Sequence, residues 1–148
     1  MEVTLADSSC IPKIAILFDQ YRIFYGQKTD IGRAIAFLTS RFKNKDSVVF
    51  IARENSEIAG FIQLYPSFSS VGMEPIWILN DLFVAHNFRG QKVAKKLMRA
   101  AKEYAEKTGA LRIDLATQVS NTHAQSLYES LGYIKNESFL HYSLPMKN

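Results

Sequence analysis

At 148 residues, with 47% hydrophobic and 22% charged side chains, the chain has the size and composition of one folded domain spanning 1–148 and none of the bias of a disordered tract. A single cysteine, Cys10, excludes an internal disulfide, and His86, His123 and His141 have no metal-like spacing, so the expectation is a metal-free protein of the reducing cytoplasm. The formal charge of +4 suits a polyanionic ligand, whereas no apolar run reaches the about 18 residues of a membrane span and the first residues, with Glu2 and Asp7, form no basic leader.

In chain order, a short alternating start (Val3, Leu5) precedes a helix over residues 11–25. There Ile14, Leu17, Phe18 and Tyr21 recur at helical spacing, and Gly26 supplies an end. A second helix starts at Asp30, a side chain suited to cap it, and carries Ile31, Ile35, Phe37, Leu38 and Phe42 before the polar residues 43–46. Residues 48–53 and 58–65 are strand-like and joined by Glu54, Asn55, Ser56 and Glu57, which predicts an antiparallel hairpin. Residues 76–84 read as a strand buried on both faces, interrupted by the adjacent polar pair Asn80 and Asp81.

From residue 91 to 108, Val93, Leu97, Ala100, Ala101 and Tyr104 form one stripe, charged residues fill the other face, and Gly109 follows the end. Leu111, Ile113 and Leu115 alternate as a strand. Asn121 then caps a short helix carrying Ala124, Leu127, Tyr128 and Leu131, which Gly132 stops, and a final strand is expected over 138–144. The fold class is α/β (α+β), a mixed, mostly antiparallel central sheet flanked by about four helices, in which a strand-helix-strand crossover makes one parallel pair. Ligands of such sheets gather at strand C-terminal ends, so the parallel pair marks the expected cleft.

The turn Val84-Ala85-His86-Asn87-Phe88-Arg89-Gly90-Gln91-Lys92-Val93-Ala94 leads from a strand into a helix N-terminus, where unpaired amides and the positive dipole end suit an anion such as a pyrophosphate. Gly90 permits close backbone approach, and Arg89, Lys92, Lys95 and Lys96 carry charge for phosphate oxygens. A solvated basic helix face accounts for the same residues. Nucleic acid is not the expected partner, because the basic helix has no aromatic interleaving and no recognised motif.

The run Asn80-Asp81-Leu82-Phe83-Val84 followed by Arg89-Gly90-Gln91-Lys92-Val93-Ala94 resembles motif A of the GNAT superfamily of acetyl-CoA-dependent N-acetyltransferases. Downstream, Asn121-Thr122-His123-Ala124-Gln125-Ser126-Leu127-Tyr128-Glu129-Ser130-Leu131-Gly132-Tyr133 resembles motif B of the same superfamily. One departure stands out: Lys92 occupies the place of the family's central glycine.

The resemblance implies acetyl-CoA as co-substrate, with no metal. Its contacts would be Arg89, Gly90, Gln91, Lys92, Val93 and Ala94 for the diphosphate, the strand backbone at Leu82, Phe83 and Val84 for the pantetheine arm, and Asn121 and Ala124. It makes Tyr128 the acid for the departing thiolate, against the alternative of a core aromatic on the helix stripe. Asp81 becomes the candidate base, because an unpaired carboxylate in an apolar strand needs a cleft or a partner; a structural carboxylate at a bulge is the alternative. Gln20, Tyr21, Arg22, Tyr25, Gln63 and Tyr65 fall where the family builds its acceptor wall, and Arg22 would suit an acceptor carboxylate. Trp77 and Cys10 read as packing residues.

The function so implied is acetylation of a small-molecule amine of amino-acid or polyamine type, by direct attack in a ternary complex. The alternatives are a protein or peptide N-acetyltransferase and a non-catalytic acyl-CoA-binding module. A homodimer is expected from the family, with no membrane or nucleic-acid partner.

Overall fold

In the computed structural model, which describes residues 1–147, helix α1 (Ile11–Phe24) opens at Pro12, where a missing N–H leaves no helical bond unmade. Asp30 caps α2 (Ile31–Asn44) by accepting the Arg33 amide at 3.1 Å. The connection between these helices is pinned by a residue on α1, Asp19. Its buried carboxylate accepts the Asp30 amide at 2.7 Å and the Thr29 hydroxyl at 2.6 Å, and Arg22 lies 3.9 Å away. These donors, the Asp30 amide first, hold the Asp19 carboxyl below the ordinary carboxylate range.

The described residues form a five-stranded sheet in the order β1 (Glu2–Leu5), β2 (Val48–Glu54), β3 (Glu57–Ser69), β4 (Glu74–Val84) and β5 (Ile113–Leu115). β4 and β5 run parallel and the other neighbours antiparallel, as the β4–α3–β5 crossover through α3 (Val93–Lys107) requires. β3 and β4 extend beyond their expected ends to Ser69 and Glu74, forming a second, longer hairpin. β5 is shorter than the alternation of Leu111, Ile113 and Leu115 implies, because it pairs only with Trp77, Ile78 and Leu79.

Alternation along β3 divides two packing faces. Phe61 meets Phe18 and Tyr21 of α1, whereas a Cβ built on the neighbouring Gly60 would meet Val93 and Leu97 of α3. That Cβ would also stand 2.7 Å from the Phe83 carbonyl oxygen, so glycine is what lets α3 and β4 close on β3 here. Trp77 donates to Thr108 at 3.0 Å and packs on Tyr104, while Cys10 is buried beside α1. β4 departs from the expected strand buried on both faces: Asn80 is exposed, and Leu82, Phe83 and Val84 are half-buried.

These elements belong to one compact unit, Met1–Ala116; a second unit begins at Thr117 and carries α4 (Thr122–Ser130). Asn121 caps α4 by accepting the Ala124 amide at 3.1 Å, and Gly132, with φ of 92°, ends it. The strand expected over 138–144 does not form; these residues adopt no regular secondary structure. Alternating side chains make a strand only where an edge supplies hydrogen bonds, and the Ser138 amide instead takes the Asn136 side chain at 2.9 Å. Among the described residues no helix is long and apolar enough to cross a membrane.

Candidate active site

The ladder between β3 and β4 pairs Phe61 with Phe83 and Gln63 with Asp81, then skips one residue so that Leu64 faces Leu79. Asn80 is the extra residue of this bulge, which explains why two polar side chains interrupt an apolar strand at that point. Asp81 thus shares a face with Gln63, Phe61 and Phe83, the face that α1 covers.

Asp81 is 3% exposed, and its carboxylate is held by neutral donors. Gln63 Nε2 donates at 2.6 Å to Oδ2, and Asn80 Nδ2 donates at 3.1 Å to Oδ1. The Tyr21 hydroxyl donates to the Asn80 carbonyl at 3.2 Å and lies within reach of the same carboxylate. Burial pushes the Asp81 pKa above the ordinary carboxylate range, and the three donors offset this in part. Burial and then the Asp81 charge raise the Tyr21 hydroxyl, and the same causes push Tyr65 up to about 12. Gln63 is wholly buried, and among the described residues its Oε1 has no hydrogen-bond partner.

The expected acceptor residues divide. Tyr21, Tyr65, Gln63 and Asp81 are brought together, and Tyr25 stacks edge-on against Tyr21 at 5.1 Å. Gln20 instead lines a surface cavity of about 430 Å³ with Lys13, Ile16, Ser56, His86 and Phe88. A second cavity, of about 370 Å³, is lined by Met1, Glu2, Arg53, Glu54 and Asn55. Neither shares a residue with the Asp81 cluster. Arg22 serves the helix connection, donating to the Lys28 carbonyl at 3.1 Å beside Asp19. Sequence reading missed Asp19, whose partners lie beyond a helix end and carry no periodic signal.

Beyond Leu79, β4 loses β5 as a neighbour, so among the described residues no strand pairs with its outer edge at Leu82, Phe83 and Val84. The chain then passes through a short 3-10 turn, His86–Phe88, into α3. Among the described residues no side chain caps α3, which leaves its first amides to an outside acceptor. Gly90 has φ of 79°, with open space around the position a Cβ would take. Lys92 has φ of 61° and ψ of 25°, a left-handed conformation that favours glycine. Arg89 turns back on the strand end, its Nε 3.3 Å from the Val84 carbonyl and its guanidinium 5.7 Å from the Phe83 ring centre. Lys95, Lys96 and Arg99 are exposed, and Lys102 reaches toward Glu106 at 3.9 Å. Uncapped amides, an open glycine and exposed cations fit a diphosphate.

In the second unit, Tyr128 lies on α4 with its ring 6.0 Å from that of Tyr133, whose hydroxyl burial pushes up to about 12. The Asn121 oxygen is engaged by its own helix.

Residues 14–133 match the acetyltransferase (GNAT) family. The uncharacterised N-acetyltransferase YhfO of Bacillus subtilis (strain 168) is 48% identical over 144 residues, covering 97% of each chain. The aminoalkylphosphonate N-acetyltransferase of Salmonella typhimurium is 31% identical over 83 residues, 56% of this chain and 54% of its own length. A crystal structure of a probable acetyltransferase superposes with a TM-score of 0.94 at 39% identity, covering 100% of this chain and 99% of the other.

Proposed function

Because the chain belongs to the acetyltransferase (GNAT) family, we propose that it transfers an acetyl group from acetyl-CoA to a small-molecule amine by direct attack in a ternary complex. The observation that carries this reading furthest is Asp81, a buried carboxylate ringed by neutral donors at a strand bulge, on a face shared with tyrosines. The family match runs across both compact units, which supports reading 1–148 as one N-acetyltransferase domain. A small amine acceptor is also what the name of the Salmonella typhimurium relative carries.

An alkylamine with a pKa of about 10 is mostly protonated at neutral pH and must lose a proton before it attacks. Asp81 takes that proton, directly or through water, and its raised pKa brings it nearer to the amine's. When bound, acetyl-CoA supplies the activated acyl group as a thioester. The uncapped amides of α3 with Gly90, Gln91, Lys92, Val93 and Ala94 would hold its diphosphate and Arg89 would add charge, while the resemblance assigns Asn121 and Ala124 to the pantetheine arm. The β4 edge at Leu82, Phe83 and Val84, which no strand among the described residues covers, would align the arm and polarise the carbonyl. The resemblance assigns the acid to Tyr128, whose hydroxyl would protonate the departing sulfur as the N–C bond forms and the C–S bond breaks.

Thiol release from acetyl-CoA with a panel of small amines and peptides tests the reaction. Tyr128→Phe is expected to lower kcat by about 100-fold or more while leaving calorimetric affinity for acetyl-CoA within about twofold. Unchanged turnover would remove the acid assignment, and absence of acetyl-CoA affinity in the intact protein would remove the whole reading.

A further inference from the structure

A base that is sealed from water needs a route by which a proton from the acceptor amine can reach it. Asp81 is 3% exposed, and Gln63 beside it is wholly buried. Tyr21 differs from both. It is half-buried on α1, and its single hydroxyl hydrogen has two acceptors in reach, the carbonyl of exposed Asn80 at 3.2 Å and the Asp81 carboxylate. The rings of Tyr25, Phe61 and Phe83, with centroids 5.1, 6.1 and 6.1 Å away, hold the Tyr21 ring in this position.

The other neighbours of Asp81 cannot pass a proton on. The amides of Gln63 and Asn80 donate to it and each has a second N–H, but an amide neither gives up nor takes a proton near neutral pH. The Tyr65 hydroxyl feels the Asp81 charge, yet among the described residues no hydrogen bond joins the two. Tyr25 meets the Tyr21 ring edge-on. The cations of the surrounding elements are engaged elsewhere: Arg22 with Asp19 and the Lys28 carbonyl, Arg41 with Asp46 and the Phe37 ring, and Arg89 with the Val84 carbonyl and the Phe83 ring. Among the described residues, the Tyr21 hydroxyl is thus the group in contact with Asp81 that can give one proton while taking another. Burial first, and then the Asp81 charge, disfavours a tyrosinate at this position, so the two transfers occur together.

We propose that Tyr21 is a catalytic residue, the relay through which Asp81 deprotonates the acceptor: its oxygen takes a proton from the ammonium as its own hydrogen passes to the Asp81 carboxylate. The step leaves a neutral amine, an intact tyrosine and a protonated carboxyl, so the positive charge of the ammonium and the negative charge of Asp81 cancel. The same path, run in reverse, returns the proton to solvent after the acetyl group has moved. This rests on the reading of Asp81 as the base and supplies the route that its burial demands.

Tyr21→Phe keeps the ring and removes the relay. Thiol release from acetyl-CoA is followed with tyramine, cadaverine, free lysine and a short peptide, and the intact variants are compared on whichever of these reacts fastest. At pH 7.5, Tyr21→Phe and Asp81→Asn are each expected to lower kcat/KM by about 100-fold or more. The double variant should lose no more than the worse single one, since two groups on one path fail together. At a pH of about 10, where much of an alkylamine is already neutral, the Tyr21→Phe loss should shrink by about tenfold or more, which a merely structural role would not produce. A Tyr21→Phe rate within about twofold of the parent, a double loss equal to the product of the single losses, or a loss that stays constant between the two pH values would overturn the relay and leave the acetyltransferase reading standing. Full activity of Asp81→Asn would remove the base and the relay with it. No transfer to any of the four acceptors would overturn the acetyltransferase reading as well.

Discussion

Asp81 keeps its carboxylate out of water among donors that carry no charge, and burial makes it harder to ionise than an exposed aspartate. A carboxyl with a raised pKa in the folded state holds its proton where the unfolded chain has already released it. Stability therefore falls as pH rises from the ordinary carboxylate range through the raised value and stays lower above it. Asp81→Asn removes that cost. The variant should melt higher than the parent at pH 7.5, with the gap closing below the ordinary carboxylate range, and should lose about 100-fold or more in kcat/KM. Scanning calorimetry at both pH values and thiol release check the two halves. That this carboxylate needs a partner or a bulge was legible in the sequence, because a carboxylate in an apolar run demands an explanation. The engagement of Arg22 was not, since its partners Asp19 and Lys28 meet it only when the chain folds back after α1.

Between elements, Gly60 decides how closely α3 and β4 approach β3. Gly60→Ala would press a methyl to 2.7 Å from the Phe83 carbonyl oxygen and about as close as 3.2 Å to Val93, contacts that the backbone must shift to accept. Urea unfolding should show a loss of about 1–3 kcal/mol, and a neutral result would mean that the sheet and helix are looser than described. Helices α1 to α4 and the β2–β3 hairpin were legible from periodicity and caps, which are properties of neighbouring residues. The bulge at Asn80 was visible only as a polar interruption, because a bulge is a property of two strands in register. Residues 138–144 show the reverse case: the alternation is present, but alternation cannot provide an edge to pair with.

At the scale of the whole molecule, the parallel β4–β5 pair followed from the order strand, helix, strand, and the place of the turn into α3 from the end of β4. Legible, too, was the concentration of cations on α3; that Arg89 would fold onto the strand end was not. The two buried carboxylates give the protein opposing responses to acid. Asp81 is relieved by protonation, whereas Asp19, held below the ordinary range by the Asp30 amide and the Thr29 hydroxyl, contributes stability that is lost as pH falls through its lowered value. Because that value is lowered, the clasp joining the two leading helices keeps its charge in acid that protonates an ordinary exposed carboxylate, and loosens only below it. Asp19→Asn should therefore lower the melting temperature at pH 7.5, with the loss narrowing below the ordinary carboxylate range, and an unchanged melting temperature at both pH values would show that the clasp contributes nothing. Helix α1 is thus fastened at one carboxylate that acid weakens and pressed over another that acid relieves, so its attachment changes less with pH than either group alone would make it.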